Sequence, residues 1–435
     1  MNNTGGKRVA EWLKSIFIVI LTASAIFLGQ MTGLFNEFFG NVSFFGSNSG
    51  FVRSTGTAPT DTGTAHFKEA ARPLTIVITT RNEERYGIKY DTTARNIIYD
   101  RTSSILGEAL SSASSPIEIN EEEWREALFY PGVYFEYIQP VKLSMLEGWL
   151  GVRLSTNIAE TSLRRIFVAF TDDRSNVYYQ DSDSGLFFCS ETASAASKAQ
   201  ELDIYSDNGA LFAFETSIDA AENSPYMLIS RGNNHPDIRG VTSASIEELL
   251  ELIQAVMEYG NETYIPYDNE GVFVRVGSQF NIRADEFGRV FYRRTDIAAP
   301  SGEEKVYGES AIIEKARAVV AETIGSYSSN AEVFFESMIY EAEDTASLYF
   351  SYFVAGGKIH LYEEGYAAKL VFVDGVIVEM ELNFRSYTYN GDYTKLAPEK
   401  QILAAANAEF MLCYSDVGSE RLQAAWVKYQ KEKSH

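Results

Sequence analysis

The sequence is poor in cysteine and in basic residues, and each shortage excludes a class of protein. Two cysteines in 435 residues, Cys189 and Cys413, cannot build a disulfide scaffold. They could pair with each other outside the cytoplasm, but each lies in an apolar run, which favours two separate buried thiols. Lys and Arg number 37 against 60 Asp and Glu, so a net charge of −23 makes nucleic acid a poor partner.

Histidine and the motifs of common catalytic sites are also scarce. Of four histidines, we expect His235 in a polar turn and His360 on the surface of a strand. No zinc-protease, serine-hydrolase or phosphate-loop motif occurs, and neither histidine has a second one nearby to share a metal ion. The sequence therefore predicts no catalytic residue, no cofactor and no metal site. A hydrolase built from two distant carboxylates is the enzymatic alternative.

An acidic segment, Asp181–Gly185, resembles half of a calcium-binding loop. The bidentate glutamate that such a loop carries at its twelfth position is replaced here by Thr192. We therefore predict a polar turn between two strands at this point, and no calcium site.

The longest uncharged stretch runs from Ser15 to Phe35. Its length of about 21 residues, at a rise of about 1.5 Å each, crosses the roughly 30 Å hydrocarbon core of a bilayer as one helix. Lys7, Arg8 and Lys14 precede it, so the positive-inside rule places residues 1–14 in the cytoplasm. The sequence thus predicts a single-pass protein of the cell membrane, with its C-terminal domains extracellular.

A cleavable signal peptide is the alternative interpretation of this stretch. Ala23, Ser24 and Ala25 form an A-x-A pattern, at which signal peptidases cut. The apolar run continues past that pattern through Ile26 and Leu34, so we favour an uncleaved transmembrane anchor.

Small residues recur on one side of the predicted anchor. Ala25, Gly29 and Gly33 follow one another every four residues, and small residues let a second transmembrane helix approach closely. Gln30 lies beside them and can hydrogen-bond across such a contact. These four residues form the predicted helix–helix interface.

Composition divides the exported part of the chain into a linker and three structured ranges. Residues 36–70 are rich in Gly, Ser, Thr and Asn, which predicts a flexible linker. Beyond it, strands come in runs, which is typical of an α+β fold with helices packed on antiparallel sheets. We expect an N-terminal α+β domain at 71–240, a central helix and hairpin at 241–300, and a C-terminal helix and antiparallel sheet at 301–435.

Capping residues position two of the predicted helices. Asp91 is the predicted N-cap of a helix that begins at Thr92, and Ser245 with Glu248 forms a capping box at the start of another. A third, alanine-rich helix is expected near residues 193–202.

The C-terminal half repeats a pattern of one helix followed by antiparallel strands. A helix that follows Ser310 is closed by Gly325. A hairpin is expected where VFVRVGSQFNIR and RVFYRR flank the turn at 285–288. Asp374 and Gly375 are the strongest hairpin signal, because they place the dipeptide DG between two apolar runs.

Three segments of this half resemble the YycH family, in which a short cytoplasmic N-terminus and one anchor carry an exported body of similar length. They are GVFVRVGSQFNIRADEFGRVFYRR at 271–294, YAAKLVFVDGVIVEMELNF at 366–384 and AEFMLCYSDVGSERLQAAWVKYQ at 408–430. Trp426 keeps the place of the tryptophan in the closing strand that YycH shares with its smaller relative YycI. Ala425 stands where the family has proline.

The resemblance implies a fold and a function. YycH proteins are membrane-anchored regulators of the WalK (YycG) sensor histidine kinase in Gram-positive bacteria. The resemblance therefore implies a non-enzymatic regulator whose partners are a sensor histidine kinase and a YycI-like protein, contacted through the transmembrane helices. The alternative is a binding module for a cell-envelope ligand, with the anchor as a simple tether.

Overall fold

The structure is a computed structural model that describes residues 71–154, 158–171, 174–193, 196–259, 263–269, 271–295, 306, 308–361, 365–406 and 408–428. All of these belong to one compact unit, Asp61–His435. The predicted cytoplasmic N-terminus, anchor and linker, which together cover residues 1–70, lie outside the described residues. Within the described ranges, no helix is long and apolar enough to cross a membrane.

Helices occur in both halves of the described chain. The α-helices are α1 (Thr92–Ser112), α2 (Glu121–Ala127), α3 (Leu143–Leu150), α4 (Ile246–Val256), α5 (Glu309–Val320) and α6 (Glu399–Ala406). Segments of 3₁₀-helix lie at Ala196–Ile204, Ala213–Glu215 and Asp219–Asn223, and a π-helical turn at Ala321–Gly325 continues α5.

The N-terminal part is built on a seven-stranded antiparallel sheet with the strand order β2-β1-β4-β5-β6-β7-β3. Its strands are β1 (Thr75–Thr79), β2 (Arg85–Ile88), β3 (Ile117–Ile119), β4 (Gly132–Lys142), β5 (Ser162–Phe170), β6 (Ser175–Asp181) and β7 (Phe187–Thr192).

Both faces of this sheet are buried. Side chains alternate between the faces along each strand, so that Ile76 of β1 joins the cluster that contains α1, whereas Val77 joins a second cluster around Trp124 of α2. The helix α1 begins where predicted, because the Asp91 carboxylate accepts a hydrogen bond from the Ala94 backbone N–H at 2.9 Å.

The rest of the chain forms one large sheet and two small ones. Its strands are β8 (Leu211–Phe212), β9 (Leu228–Ile229), β10 (Asn234–Thr242), β11 (Ile265–Asn269), β12 (Val272–Val276), β13 (Phe280–Asp285), β14 (Arg289–Arg294), β15 (Glu332–Ala342), β16 (Thr345–Val354), β17 (Gly357–Leu361), β18 (Ala368–Val373), β19 (Val376–Asn383), β20 (Arg385–Lys395), β21 (Phe410–Asp416), β22 (Arg421–Leu422) and β23 (Ala424–Lys428).

The large sheet has eleven strands in the order β11-β12-β13-β14-β19-β18-β16-β17-β21-β23, and β15 pairs with β16 off this path. The pair β17–β21 is parallel, and the other pairs in this sheet are antiparallel. A second sheet has the order β20-β10-β22, and β8 pairs with β9. The described chain is therefore a mixed α+β structure, as predicted.

Local signals are confirmed where a few neighbouring residues determine the geometry. The capping box of α4 forms in both directions between Ser245 and Glu248. Asp374 and Gly375 join β18 to β19 with φ angles of 51° and 76°. Two successive residues with positive φ are what a tight antiparallel hairpin turn requires.

Several predictions of local structure were wrong. The hairpin at 285–288 forms between β13 and β14. Its first arm is shorter than predicted: VFVRVGSQFNIR is two strands, β12 and β13, because the Gly277 N–H donates to the Phe280 carbonyl at 2.9 Å and closes a turn. The alanine-rich helix is a 3₁₀ segment. His235 lies in β10 and is buried, because Tyr90 and Trp426 pack edge-on against its ring.

The predicted ranges 241–300 and 301–435 contribute strands to the same sheet. The register between β14 and β19 runs from Arg289 opposite Asn383 to Arg293 opposite Glu379. That these ranges fold as separate domains stays a prediction. The large sheet is continuous from β11 to β23, and it positions the elements around the candidate site.

Candidate functional site

A cleft of about 790 Å³ lies between the N-terminal sheet and the large sheet. One wall comes from the end of β4 and from α3, with Tyr137, Ile138 and Trp149. The opposite wall comes from α5, the π-helical turn and β15. Pockets of this volume, with a largely apolar lining and a few polar groups, are the usual form of ligand sites in proteins.

Trp149, Glu314 and Arg317 connect the two walls at one end of the cleft. The Trp149 indole N–H donates to the Glu314 carboxylate, and the Arg317 guanidinium donates to the same carboxylate at 3.0 Å. The guanidinium also lies 5.1 Å from the centre of the Trp149 ring, within range of a cation–π contact. The negative charge of Glu314 is therefore neutralised by Arg317, which lies on the same helix.

At the other end of the cleft, the carboxylate of Glu332 also has a cationic partner. Arg95, on the first turn of α1, is fully buried and donates to the Glu332 carboxylate, while Asn96 donates to it at 3.1 Å. The Arg95 guanidinium lies 5.8 Å from the centre of the Phe334 ring. Glu314 and Glu332 therefore each have a cationic partner within the protein; Arg72 and Glu322 are the other charged residues of the lining.

A buried hydroxyl lies in the lining of the cleft. Tyr137 is 3% exposed, and its hydroxyl has no hydrogen-bond partner among the described residues. Burial, together with the neighbouring Tyr99, raises its pKa well above the ordinary value, so the hydroxyl keeps its proton. An unpaired buried hydroxyl is costly, and this one is enclosed by the protein behind the cleft surface.

The π-helical turn Ala321–Gly325 forms part of the cleft wall. Thr323 leaves helical geometry at φ −98° and ψ −105°, and its hydroxyl donates to the Val319 carbonyl at 2.7 Å. Ser326 closes the turn by donating to the Ala321 carbonyl at 2.8 Å. The sequence predicts a helix that ends at Gly325, but it gives no signal for the widened last turn. Such turns occur frequently at functional sites.

Buried ion pairs next to the cleft join the first and last parts of the described chain. Glu399 is 1% exposed and accepts hydrogen bonds from Lys89 at 3.3 Å, from the Tyr90 hydroxyl, and from the Ser230 N–H at 2.6 Å. Each of its oxygens has a donor, as a buried carboxylate requires.

Glu409 and Arg164 form a second, half-buried pair, in which Arg164 donates to the carboxylate at 2.7 Å. Although burial opposes ionisation, Arg164 and Arg165 hold the pKa of Glu409 below its ordinary value. Arg164 and Glu409 also line a second, smaller cavity of about 70 Å³. This cavity shares Ile138 and Gln139 with the lining of the cleft.

The predicted interface of Ala25, Gly29, Gln30 and Gly33 lies outside the described residues and stays a prediction. Asp181–Gly185 is a polar turn between β6 and β7, in which the Asp181 carboxylate accepts the Ser184 N–H at 3.2 Å. Cys189 and Cys413 are free thiols. In the described ranges, no group of three or more His, Cys, Asp or Glu side chains could hold a metal ion.

Comparison with known proteins gives one informative result for the fold. No protein-family model matches the sequence, and no curated protein matches it. Among solved structures, the crystal structure of YycH from Bacillus subtilis matches with a TM-score of 0.53 at 11% sequence identity. The match covers 84% of this chain and 95% of that one. At this identity the likeness concerns the fold alone, and it confirms the predicted resemblance: the chain has a YycH-like fold.

Proposed function

We propose that this protein is a non-enzymatic extracytoplasmic regulator of a two-component sensor histidine kinase. The observation that carries the proposal is the YycH-like fold, which extends over 84% of the chain. The YycH family, which three segments of the sequence resemble, regulates such a kinase, and the likeness covers 95% of the solved YycH chain. The proposal therefore rests on an analogy of fold, not on a shared site.

The proposed contact with the kinase is made by the anchor. One helix face with Ala25, Gly29 and Gly33 lets a second transmembrane helix approach closely, and Gln30 adds a hydrogen bond in a medium without water. A sensor kinase and a YycI-like protein are the proposed neighbours of this face, in the cell membrane.

The first described residues lie at the cleft, and the predicted linker and anchor precede them in the sequence. Arg72, close to the first described residue, lines the cleft, and Ala71 beside it is fully buried. The chain therefore runs from the cleft wall towards the predicted linker and anchor. The segment that precedes β1 is therefore the proposed route from the cleft to the anchor.

Substitutions in the anchor test the proposal. Gly29→Ile together with Gly33→Ile adds branched side chains to the small-residue face. We expect reduced co-purification with the sensor kinase from membranes, and altered output from a promoter that the kinase controls, because the close approach is lost.

Phe27→Ile together with Met31→Ile is the matched control. These positions lie roughly 200° around the helix from Ala25 and Gly29, so the same new residue appears on the opposite face. Replacing the whole anchor by an unrelated membrane helix tests the tether alternative. If the kinase association and output survive both the glycine variants and the swap, the proposal is wrong.

A further inference from the structure

We propose that the cleft binds an extended, uncharged peptide segment of a partner protein, which adds as a strand to the free edge of β15. The proposal deepens the proposed function, on which it rests for the identity of the partner. It assigns a site of recognition in the ectodomain, separate from the anchor.

The hydrogen-bonding edge comes from β15. In the described chain this strand pairs with β16 alone, in a register that runs from Glu332 opposite Phe353 to Ala342 opposite Thr345. Its other edge lies along the cleft, where Val333, Phe334 and Phe335 are part of the lining. An edge of this kind presents backbone N–H and C=O groups that a further strand can pair with.

Register shifts at Phe335/Ser337 and Tyr340/Ala342 interrupt β15, so the regular edge open to pairing is Glu332–Phe335. Natural edge strands are commonly blocked by proline, lysine or unpaired charge. The outer strands β11 and β23 of the same sheet carry Pro266 and Lys428, whereas β15 contains neither residue type.

The glutamates of β15 do not block the edge either, because other elements hold their side chains. Glu332 accepts from Arg95, Glu336 accepts from Lys358, and Glu341 accepts from the Ser347 hydroxyl at 2.6 Å. The three carboxylates of the strand are therefore bound by donors of the protein itself.

The opposite wall supplies side-chain contacts and no competing edge. The pairing of β1 with β4 ends at Glu136, whose carbonyl accepts the Leu74 N–H at 2.8 Å. Beyond it, Ile138 and Val141 present apolar side chains to the cleft. Pro140 in this stretch has no N–H to donate, so a peptide pairs with β15 and packs against β4.

The pairing of wall charges selects an uncharged segment. Two of the lining carboxylates, Glu314 and Glu332, are held by Arg317 and Arg95, so a cationic ligand would have to break a partly buried pair to use them. A glycan would leave the backbone edge of β15 unpaired.

Dimensions set the length of the probe. Residues Glu332–Phe335 span about 13 Å of strand, at roughly 3.3 Å per residue. A heptapeptide covers that span with a residue or more at each end. The probes are C-terminally amidated heptapeptides in which Thr alternates with Val, Ile, Phe or Tyr, with an uncharged fluorophore coupled to the N-terminal nitrogen.

Binding is measured by fluorescence polarisation on the full chain in detergent. We expect at least one probe to bind, and to slow hydrogen exchange of the Val333–Phe335 amides. The same peptide with alternate backbone amides methylated should bind on the order of tenfold more weakly, because it has lost its donors.

A blocked cleft provides the matched variant. Ala318 lies in the cleft wall on the exposed face of α5, so Ala318→Trp fills the cavity without disturbing the core. We expect at least a tenfold loss of peptide binding. Ala405→Trp, on an exposed position of α6 outside the lining, makes the same change and should bind as the unaltered chain does.

Three outcomes overturn the inference: no probe binds, Ala318→Trp binds as tightly as Ala405→Trp, or chitotetraose protects the cleft where the peptides do not. Each of these outcomes can be told apart from a failure of the proposed function. Peptide binding is measured without the kinase, so loss of peptide binding with intact anchor effects removes only this inference. Intact peptide binding with silent anchor variants removes only the proposed function.

Discussion

Substituting Asp416 by Ala should destabilise the described unit more than any change to a surface ion pair. Asp416, at the end of β21, is 2% exposed. Its carboxylate accepts from the Arg385 guanidinium at 2.9 and 3.0 Å, from the Tyr387 hydroxyl at 3.0 Å, and from the Gly418 N–H at 3.0 Å. One side chain therefore holds the large sheet to the β20-β10-β22 sheet.

The magnitude follows from what the substitution leaves behind. Arg385 is 9% exposed, and although burial opposes its charge, Asp416 raises the pKa of its guanidinium. Removing the carboxylate leaves that buried charge without its main partner, which typically costs about 3–5 kcal/mol. A surface pair is worth about 0–1 kcal/mol.

Urea unfolding of the full chain, followed by tryptophan fluorescence, measures the difference. The control is Glu191→Ala, which breaks the Arg174–Glu191 pair, whose side chains are 66% and 61% exposed. The double variant Arg385→Met, Asp416→Leu should be more stable than Asp416→Ala alone, because it removes both buried charges. A loss for Asp416→Ala below about 1 kcal/mol, or equal to that of Glu191→Ala, would refute the reasoning.

Two further predictions concern a turn and a buried histidine. Gly375→Ala should cost at least about 1–2 kcal/mol in free energy of unfolding, because φ is 76° and a Cβ would lie 2.1 Å from the Val306 carbonyl oxygen. Gly365→Ala, at φ 77° with open space around it, should cost less, and equal costs in urea titrations would contradict the contact with Val306. Burial lowers the pKa of His235 from its ordinary 6.5, so the unfolded chain binds the proton more readily and stability should fall as pH drops below about 6.5. His235→Phe should flatten that fall in thermal melts between pH 7 and 5, and an unchanged slope would show that another group is responsible.

Local chemistry explains which parts of the fold could be predicted from the sequence. Asp91, the Ser245–Glu248 box and the Asp374-Gly375 turn each depend on residues within four positions of one another, so their geometry is set before any tertiary contact forms. The strand break at Gly277 escaped prediction because hydrophobic alternation continues across it. The buried position of His235 depends on Tyr90 and Trp426, which lie far from it in the chain.

The candidate site could not be predicted for a related reason. Its walls bring Trp149 to Glu314, which are 165 residues apart, and Arg95 to Glu332, which are 237 apart. No spacing rule links such pairs. The edge character of β15 is likewise a property of the sheet order, which the residues of the strand alone do not determine. The anchor face, by contrast, follows from periodicity, and it stays a prediction because it lies outside the described residues.

The pairs that bind Glu399 and Glu409 also have a consequence for the order of synthesis. Lys89 and Glu399 are 310 residues apart, and Arg164 and Glu409 are 245 apart. At about 5–20 residues per second, roughly 15–60 s separate the first member of the longer pair from the second. During that interval Lys89, Tyr90 and Arg164 have none of these carboxylate partners. The emerging N-terminal sheet must therefore stay soluble with these contacts unmade, until nearly the whole chain has followed.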